Sequence, residues 1–483
     1  MSETRVPNSF VARLKEAWRD LSSTARAAVG GTRTPHPDLS DDDLEPLRAR
    51  MRDCLEGKGG EASARQRAVE LGRLYLDLSQ TGRKRFMSLI ATEFDFDRAA
   101  AEKAAAAALA AWKNGTPASR AKAEIALKRS LEAPRARLLQ QFSALPEGVK
   151  FLVDRRAELL DWSREMPELA GLEADLKDLL VAWFDLGFLE LRRITWESPA
   201  ALLEKLAEYE AVHAVRDWND LKNRLDGDRR YFAFFHPRMK LEPLIFVEVA
   251  LVKGLAGDVQ ALLDENAPLG DPRAADTAIF YSITNAQRGL AGISFGGFLI
   301  KRVVAELQGA FPNLKTFATL SPVPGFRKWL DRQFADGAKG LLTREERGGL
   351  AAALKGDVDS PVAKGDLKRV LADDSWATNR NLAKAMEAPL SRACAVYLTK
   401  AKRNDGRALD PVAHFHLSNG ARLERVNWRA DLSPNGLRQS AGLMVNYLYS
   451  LAEIETNHEA YATDGTIATS SSVRGLVKAA ATK

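Results

Sequence analysis

The sequence predicts an α+β protein, with an all-helical N-terminal part followed by a mixed α/β part. Three observations predict it. Up to about residue 190, alanine, leucine, arginine and glutamate dominate, and apolar residues recur at helical spacing. After Pro199, β-branched and aromatic runs take over. Between two of those runs stands a glycine-rich turn followed by an amphipathic helix, so strands and helices alternate within one region.

Residues 1–38 carry Thr, Pro and Gly between charges and read as a short helix and a loose, partly disordered linker. Residues 39–192 read as a helical domain. Ser40 with Asp43 marks one helix start, and Thr116-Pro117 marks another. The stretch AAAEKAAAAALAAW at 99–112 is a strong helix former. Two apolar stripes follow: Phe151, Leu152, Leu159 and Trp162, then Leu172, Leu176, Leu179, Leu180 and Trp183. Nothing in this half carries chemistry, and packing or self-association is its expected role.

Residues 193–483 read as the second domain. Its strand runs are YFAFFH (231–236), LIFVEVALV (244–252), TAIFYSIT (277–284) and KTFATLS (315–321), the first two close enough for a hairpin. A charged helical insertion is expected near 331–392, where a lid, a partner surface and plain solvated helices are equally good readings.

Composition narrows the function. The chain has 483 residues, 46% hydrophobic and 28% charged, an ordinary globular balance. A net charge of +6 over that length suits a polyanionic small molecule and is too diffuse to argue for nucleic acid. Cys54 and Cys394 form no CxxC pair and the six histidines include no HExxH, so no metal site is expected. The N-terminal stretch lacks the apolar centre of a secretion signal, and no run of about 18 apolar residues occurs. The tail VKAAATK is not the S-K-L address. These features lead us to expect a cytoplasmic protein with no membrane partner.

Residues 287–302 read QRGLAGISFGGFLIKR. Glycines let the backbone approach a ligand, and free N–H groups at a helix start favour anions. The segment is neither GxxxxGK[ST] nor GxGxxG. A turn needed only for packing explains it as well as a pyrophosphate cradle does.

Three strings together resemble the malonyl-CoA decarboxylase family: AIFYSITNAQRGLAGISFGGFLIKRVV, TLSPVPGFRKWL and DPVAHFHLSNGARLERVNWRADLSPNGLRQSAGLMVNYLY. The similarity runs from about residue 195 to 450 and continues more weakly into the helical half. It implies a helical oligomerisation domain, hence a homo-oligomer, and a GNAT-like acyl-CoA-binding catalytic domain. The implied activity is conversion of malonyl-CoA to acetyl-CoA and CO2, controlling malonyl-CoA levels in fatty acid metabolism, with no cofactor. Ser321 and His416 fall on the family's catalytic positions. The CoA-binding turn falls on Ala291, Gly292, Ile293, Ser294, Phe295, Gly296 and Gly297, and Tyr449 is expected to help order the substrate pocket. Animal relatives carry a glutamate where this sequence has Ser294.

The chemistry fits such residues. Loss of CO2 from a malonyl thioester leaves an enolate already delocalised into the carbonyl, so orientation, preorganised hydrogen bonds and one proton suffice. A histidine titrates near working pH and is the preferred proton donor to carbon, with Ser321 positioning or relaying. The reverse, Ser321 donating and His416 recharging it, stays open. His414 and His416 alternate along a strand-like run, which puts them on one side. An acyl-CoA-dependent acyltransferase and a non-enzymatic CoA-binding scaffold remain as alternatives.

Overall fold

The computed structural model describes residues 12, 14–18, 35–57, 60–293, 296–336, 341–354 and 367–481. Most of the N-terminal stretch expected to be a short helix and linker lies outside them, although residues 14–18 are helical. The chain forms two compact units. One comprises Met1–Leu189, His236–Glu242 and Gln287–Ile293, and the other Glu190–Phe235, Pro243–Ala286 and Ser294–Lys483.

The described structure of the first unit is helical. Ser40 and Asp43 form the capping box of the Asp41–Leu55 helix, and Thr116 caps Pro117–Ser130 by accepting from Ser119 N. The expected apolar stripes are buried at their centres. Phe151, Leu152, Leu159 and Trp162 on Gly148–Trp162 are buried, as are Leu172, Leu176 and Leu180 on Ala170–Trp183. Trp162 is therefore part of the core of this unit.

The helices Arg98–Asn114 and Pro117–Ser130 pack on each other. The second has no buried residue. Leu109, Trp112, Ile125 and Leu131 of this hairpin are each about half exposed, at 54%, 46%, 54% and 49%.

The second unit is built on an eight-stranded sheet: β1 (Glu190–Ile194), β2 (Arg229–Phe235), β3 (Ile245–Val252), β4 (Thr277–Asn285), β5 (Thr316–Thr319), β6 (Ser321–Pro322), β7 (Arg422–Asn427) and β8 (Met444–Leu448). The order is β1-β2-β3-β4-β5-β8-β6, with β7 also on β8. Only β4 and β5 pair in parallel among these strands, and the connection between them carries the helix Gly296–Ala310. The expected strand runs and the β2–β3 hairpin are present, with Arg229 opposite Ala250 and Phe234 opposite Ile245. β2 and β3 read as continuous apolar runs because both their faces are covered. One cluster gathers Leu202, Leu206, Leu221, Tyr231, Phe235 and Phe246, and another gathers Ala250, Ile279, Tyr281, Ala318, Leu320 and Met444.

One expectation is overturned. The run around His414 and His416 is a helix, Pro411–Ser418, and not a strand. Asp410 is its N-cap, accepting from Val412 N and Ala413 N at 3.0 Å each, and Pro411 occupies the first helical position. Residues two apart on a helix point in different directions, so the two histidines part company. His416 turns into the core, while the Nδ1 of the half-buried His414 meets the Tyr461 hydroxyl at 2.8 Å.

Candidate active site

Ser321 stands two residues beyond Thr319, the last residue of β5, where the chain crosses to pair with β8. Its Oγ donates to Thr319 Oγ1 at 2.8 Å and lies 3.0 Å from His416 Nε2. His416 Nδ1 lies 2.8 Å from the hydroxyl of Tyr449, the residue after β8, whose backbone N–H donates to Phe317 O. Tyr447, two residues earlier, stacks on the imidazole with centroids 4.5 Å apart, and Phe415 meets it edge-on at 5.1 Å. The structure thus brings together three of the expected site residues, Ser321, His416 and Tyr449.

Burial sets the protonation. His416 is 2% exposed and Ser321 5%. With no charged partner to offset desolvation, the imidazole's pKa falls from 6.5 to about 3. The ring is neutral at physiological pH, contrary to the expectation of a histidine poised near 7. Desolvation also holds the Tyr449 hydroxyl protonated. A buried hydroxyl must spend its proton on a partner, and His416 Nδ1 is the one within reach. That assigns the remaining ring proton to Nε2, so the imidazole donates to Ser321 Oγ.

The pair opens on a cavity of about 210 Å3 lined by Val212, Phe280, Tyr281, Ile283, Asn285, Ser321, Pro322, Pro411, Val412, Phe415 and His416. That volume matches an acyl group rather than a whole CoA. No lining residue is an arginine or a lysine. Val212 is held in place by Glu210, whose carboxylate accepts from Val212 N at 2.7 Å, His213 N at 2.8 Å and Ser282 Oγ at 2.9 Å.

Sequence reasoning missed the group that joins the two motif strings. Asp410 caps the His416 helix through one oxygen. Its other oxygen accepts from Gly325 N and from the Tyr397 hydroxyl, both at 3.2 Å. It therefore ties the SPVPG loop to the histidine helix. Gly325 is required there, because a Cβ would stand 2.1 Å from the Tyr397 hydroxyl oxygen. The signal was present as Asp410-Pro411, a cap followed by a first-turn proline. Asn446, in the same run as Tyr449, is fully buried and structural. It donates to Thr319 O and Ala256 O and accepts from Asn427 Nδ2.

The expected cradle follows β4. Residues Arg288–Leu290 form a 3-10 turn, Gly292 has φ +74°, and Gly296 and Gly297 open the helix Gly296–Ala310. Ser294 and Phe295 lie outside the described residues. Within the first unit, Arg156 Nη1 donates to Gly289 O at 2.6 Å and Ala291 O at 2.8 Å. Gly289 is a packing glycine, since a Cβ would meet Val153 O at 1.7 Å. Gly292 has open space, with Lys177 Nζ its nearest neighbour at 3.9 Å from a built Cβ. Lys301 is engaged in an ion pair with Glu455.

Comparison with known proteins gives this geometry its context. The profile of the malonyl-CoA decarboxylase C-terminal domain matches residues 187–483, and that of the N-terminal domain matches residues 94–184. The mitochondrial malonyl-CoA decarboxylase of Rattus norvegicus is 38% identical over 456 residues, covering 92% of this chain and 88% of the rat protein. The Anser anser anser enzyme is 37% identical, covering 82% and 80%. Among solved structures, malonyl-CoA decarboxylase from Rhodopseudomonas palustris aligns with TM-score 0.78 at 41% identity, over 89% of this chain and 99% of that one. The Agrobacterium vitis structure aligns with TM-score 0.79 at 39% identity, over 89% and 99%. An α+β enzyme of the carboxy-lyase class is thereby defined. The chain belongs to the malonyl-CoA decarboxylase family. Among the described residues no helix is long and apolar enough to cross a membrane.

Proposed function

We propose that the chain converts malonyl-CoA to acetyl-CoA and CO2, with Ser321 delivering the proton to carbon and His416 supporting it from behind. The observation that carries this reading is the Ser321–His416 contact of 3.0 Å on a small cavity lined by no arginine or lysine. The bond from the α-carbon to the carboxylate breaks, CO2 leaves, and the electron pair moves into the thioester carbonyl as an enolate. The enolate carbon takes the Ser321 proton, giving acetyl-CoA. A thioester enolate is far more basic at carbon than a serine alkoxide, so the hydroxyl is a competent acid here. The alkoxide is held by the His416 Nε2–H and regains its proton ultimately from water. A neutral imidazole carries no second proton to give, which favours this order over direct donation by His416.

The cavity accommodates the malonyl end. For the CoA pyrophosphate we assign the turn from Ala291 to Gly297, whose glycines let the backbone approach an anion. Self-association is assigned to the helical half, through the exposed apolar residues of the 98–130 hairpin. The chain then acts as a homo-oligomer of the cytoplasm that sets malonyl-CoA levels in fatty acid metabolism.

The test is to incubate the purified chain with malonyl-CoA in EDTA and follow acetyl-CoA by mass spectrometry, repeating with Ser321→Ala and His416→Ala. Stoichiometric acetyl-CoA from the wild type, lowered by about 10²-fold or more in both variants, is expected. Intact malonyl-CoA would refute the reading. Release of CoA that requires an added amine would point to an acyltransferase instead.

A further inference from the structure

The malonyl thioester carries charge at one end and receives it at the other. Before reaction the negative charge is on the carboxylate, and in the enolate it is on the thioester oxygen. Only donors that meet the second position speed the step, because they bind the transition state better than the substrate. Ser321 and His416 are committed to the proton at the α-carbon. A donor for the thioester oxygen must come from elsewhere in the cavity.

The lining offers one further side-chain hydrogen-bond donor at its rim. Tyr281, Ile283 and Asn285 lie on one face of β4 and all three line the cavity. Exposure rises along that face: Tyr281 is buried, Ile283 half-buried and Asn285 exposed. The Asn285 end is therefore the mouth and the Tyr281 end the floor. A CoA ester enters through the mouth, so its thioester stops near Asn285 and its carboxylate goes inward toward Tyr281, among Val212, Phe280, Ile283, Val412 and Phe415. The Asn285 amide makes no hydrogen bond among the described residues and is free to donate.

We infer that Asn285 is a catalytic residue that donates to the thioester oxygen as it becomes the enolate oxygen, while the carboxylate faces no arginine or lysine to hold it. An arginine or lysine facing the carboxylate would stabilise the charge that must leave. An uncharged amide at the other end stabilises the charge that arrives. This inference rests on the decarboxylase reading above.

The experiment compares wild type, Asn285→Ala and Asn285→Asp in steady-state decarboxylation of malonyl-CoA, with thermal melting of each chain as a control for folding. For Asn285→Ala, kcat is expected to fall by about 10²-fold with KM within about threefold, the mark of an interaction made only in the transition state. Asn285→Asp keeps the shape and sets a negative charge against the enolate, so its kcat is expected to fall further. A loss confined to KM in Asn285→Ala would mean that the amide only anchors the substrate, and would overturn the inference. So would a kcat within about threefold of wild type in either variant. Both results presuppose an active wild type, so failure of this inference is distinct from failure of the decarboxylase reading, in which the wild type leaves malonyl-CoA intact.

Discussion

His416 is sealed from water behind Ser321, Tyr447, Tyr449 and Phe415, and its pKa of about 3 makes it an orienting group and hydrogen-bond donor rather than a titrating acid. The pH dependence follows with a definite sign. Between about 3 and 6.5 the unfolded chain binds a proton that the folded site refuses, so stability falls as pH drops through that window. Above 6.5 neither state is protonated at this group and its contribution is constant. The kcat profile of the wild type, measured from the acid limit of stability upward, is expected to show no inflection at 6.5. A clear titration of kcat there would mean that His416 is charged in the working enzyme. The sequence made Ser321 and His416 legible because long, unusual strings surround them. The depressed basicity was not legible, since it arises from tyrosines and a phenylalanine gathered from two separate segments. Asn285 was invisible for a different reason: a lone asparagine at the end of an apolar strand has the appearance of a turn residue.

The histidine is positioned by a helix of only eight residues, Pro411–Ser418. So short an element has little stability of its own, and Asp410 supplies what it lacks. This buried carboxylate satisfies two helix N–H groups, the Gly325 N–H and the Tyr397 hydroxyl together. Asp410→Ala removes the cap and orphans the other donors, so a loss of about 3 kcal/mol is expected. Urea unfolding measures it, and Asp410→Asn, which keeps a capping oxygen, is expected to lose less. A change below about 0.5 kcal/mol for the alanine variant would show that the helix is held by packing alone. Reading this segment as a strand went wrong at the same residue. The alternation of His414 and His416 suggests a strand, but Asp410-Pro411, a cap followed by a first-turn proline, is the stronger local instruction. The four apolar strands were legible from their β-branched runs. β1, as ELRRI, and β7, as RLERVN, were not, because charges suit the edge positions that both occupy and hide the period.

Across the whole molecule, the first unit divides into a packed set of helices and a hairpin that turns apolar side chains outward. Trp162 is consumed by the core, so it offers no surface for a second copy, whereas Leu109 and Ile125 do. The wild type is expected to sediment as more than one chain, and Leu109→Glu with Ile125→Glu is expected to shift it toward the single chain without loss of helical circular dichroism. An unchanged sedimentation coefficient in the double variant would remove the hairpin from the interface. Such a residue pattern is legible only with the fold in hand, because alanine-rich helices carry few apolar side chains and the stripe on Pro117–Ser130 is weak.

The Ser321–His416 contact closes across 95 residues of chain, from a strand crossing to a separate short helix. Nothing local in either segment can assemble it, so the contact exists only after the long intervening stretch has found its place. Helical signal in a refolding chain would return early, from neighbours along the backbone, and turnover late. Restored activity is for that reason a clock for the final docking of the chain, and its lag behind circular dichroism would time that step directly.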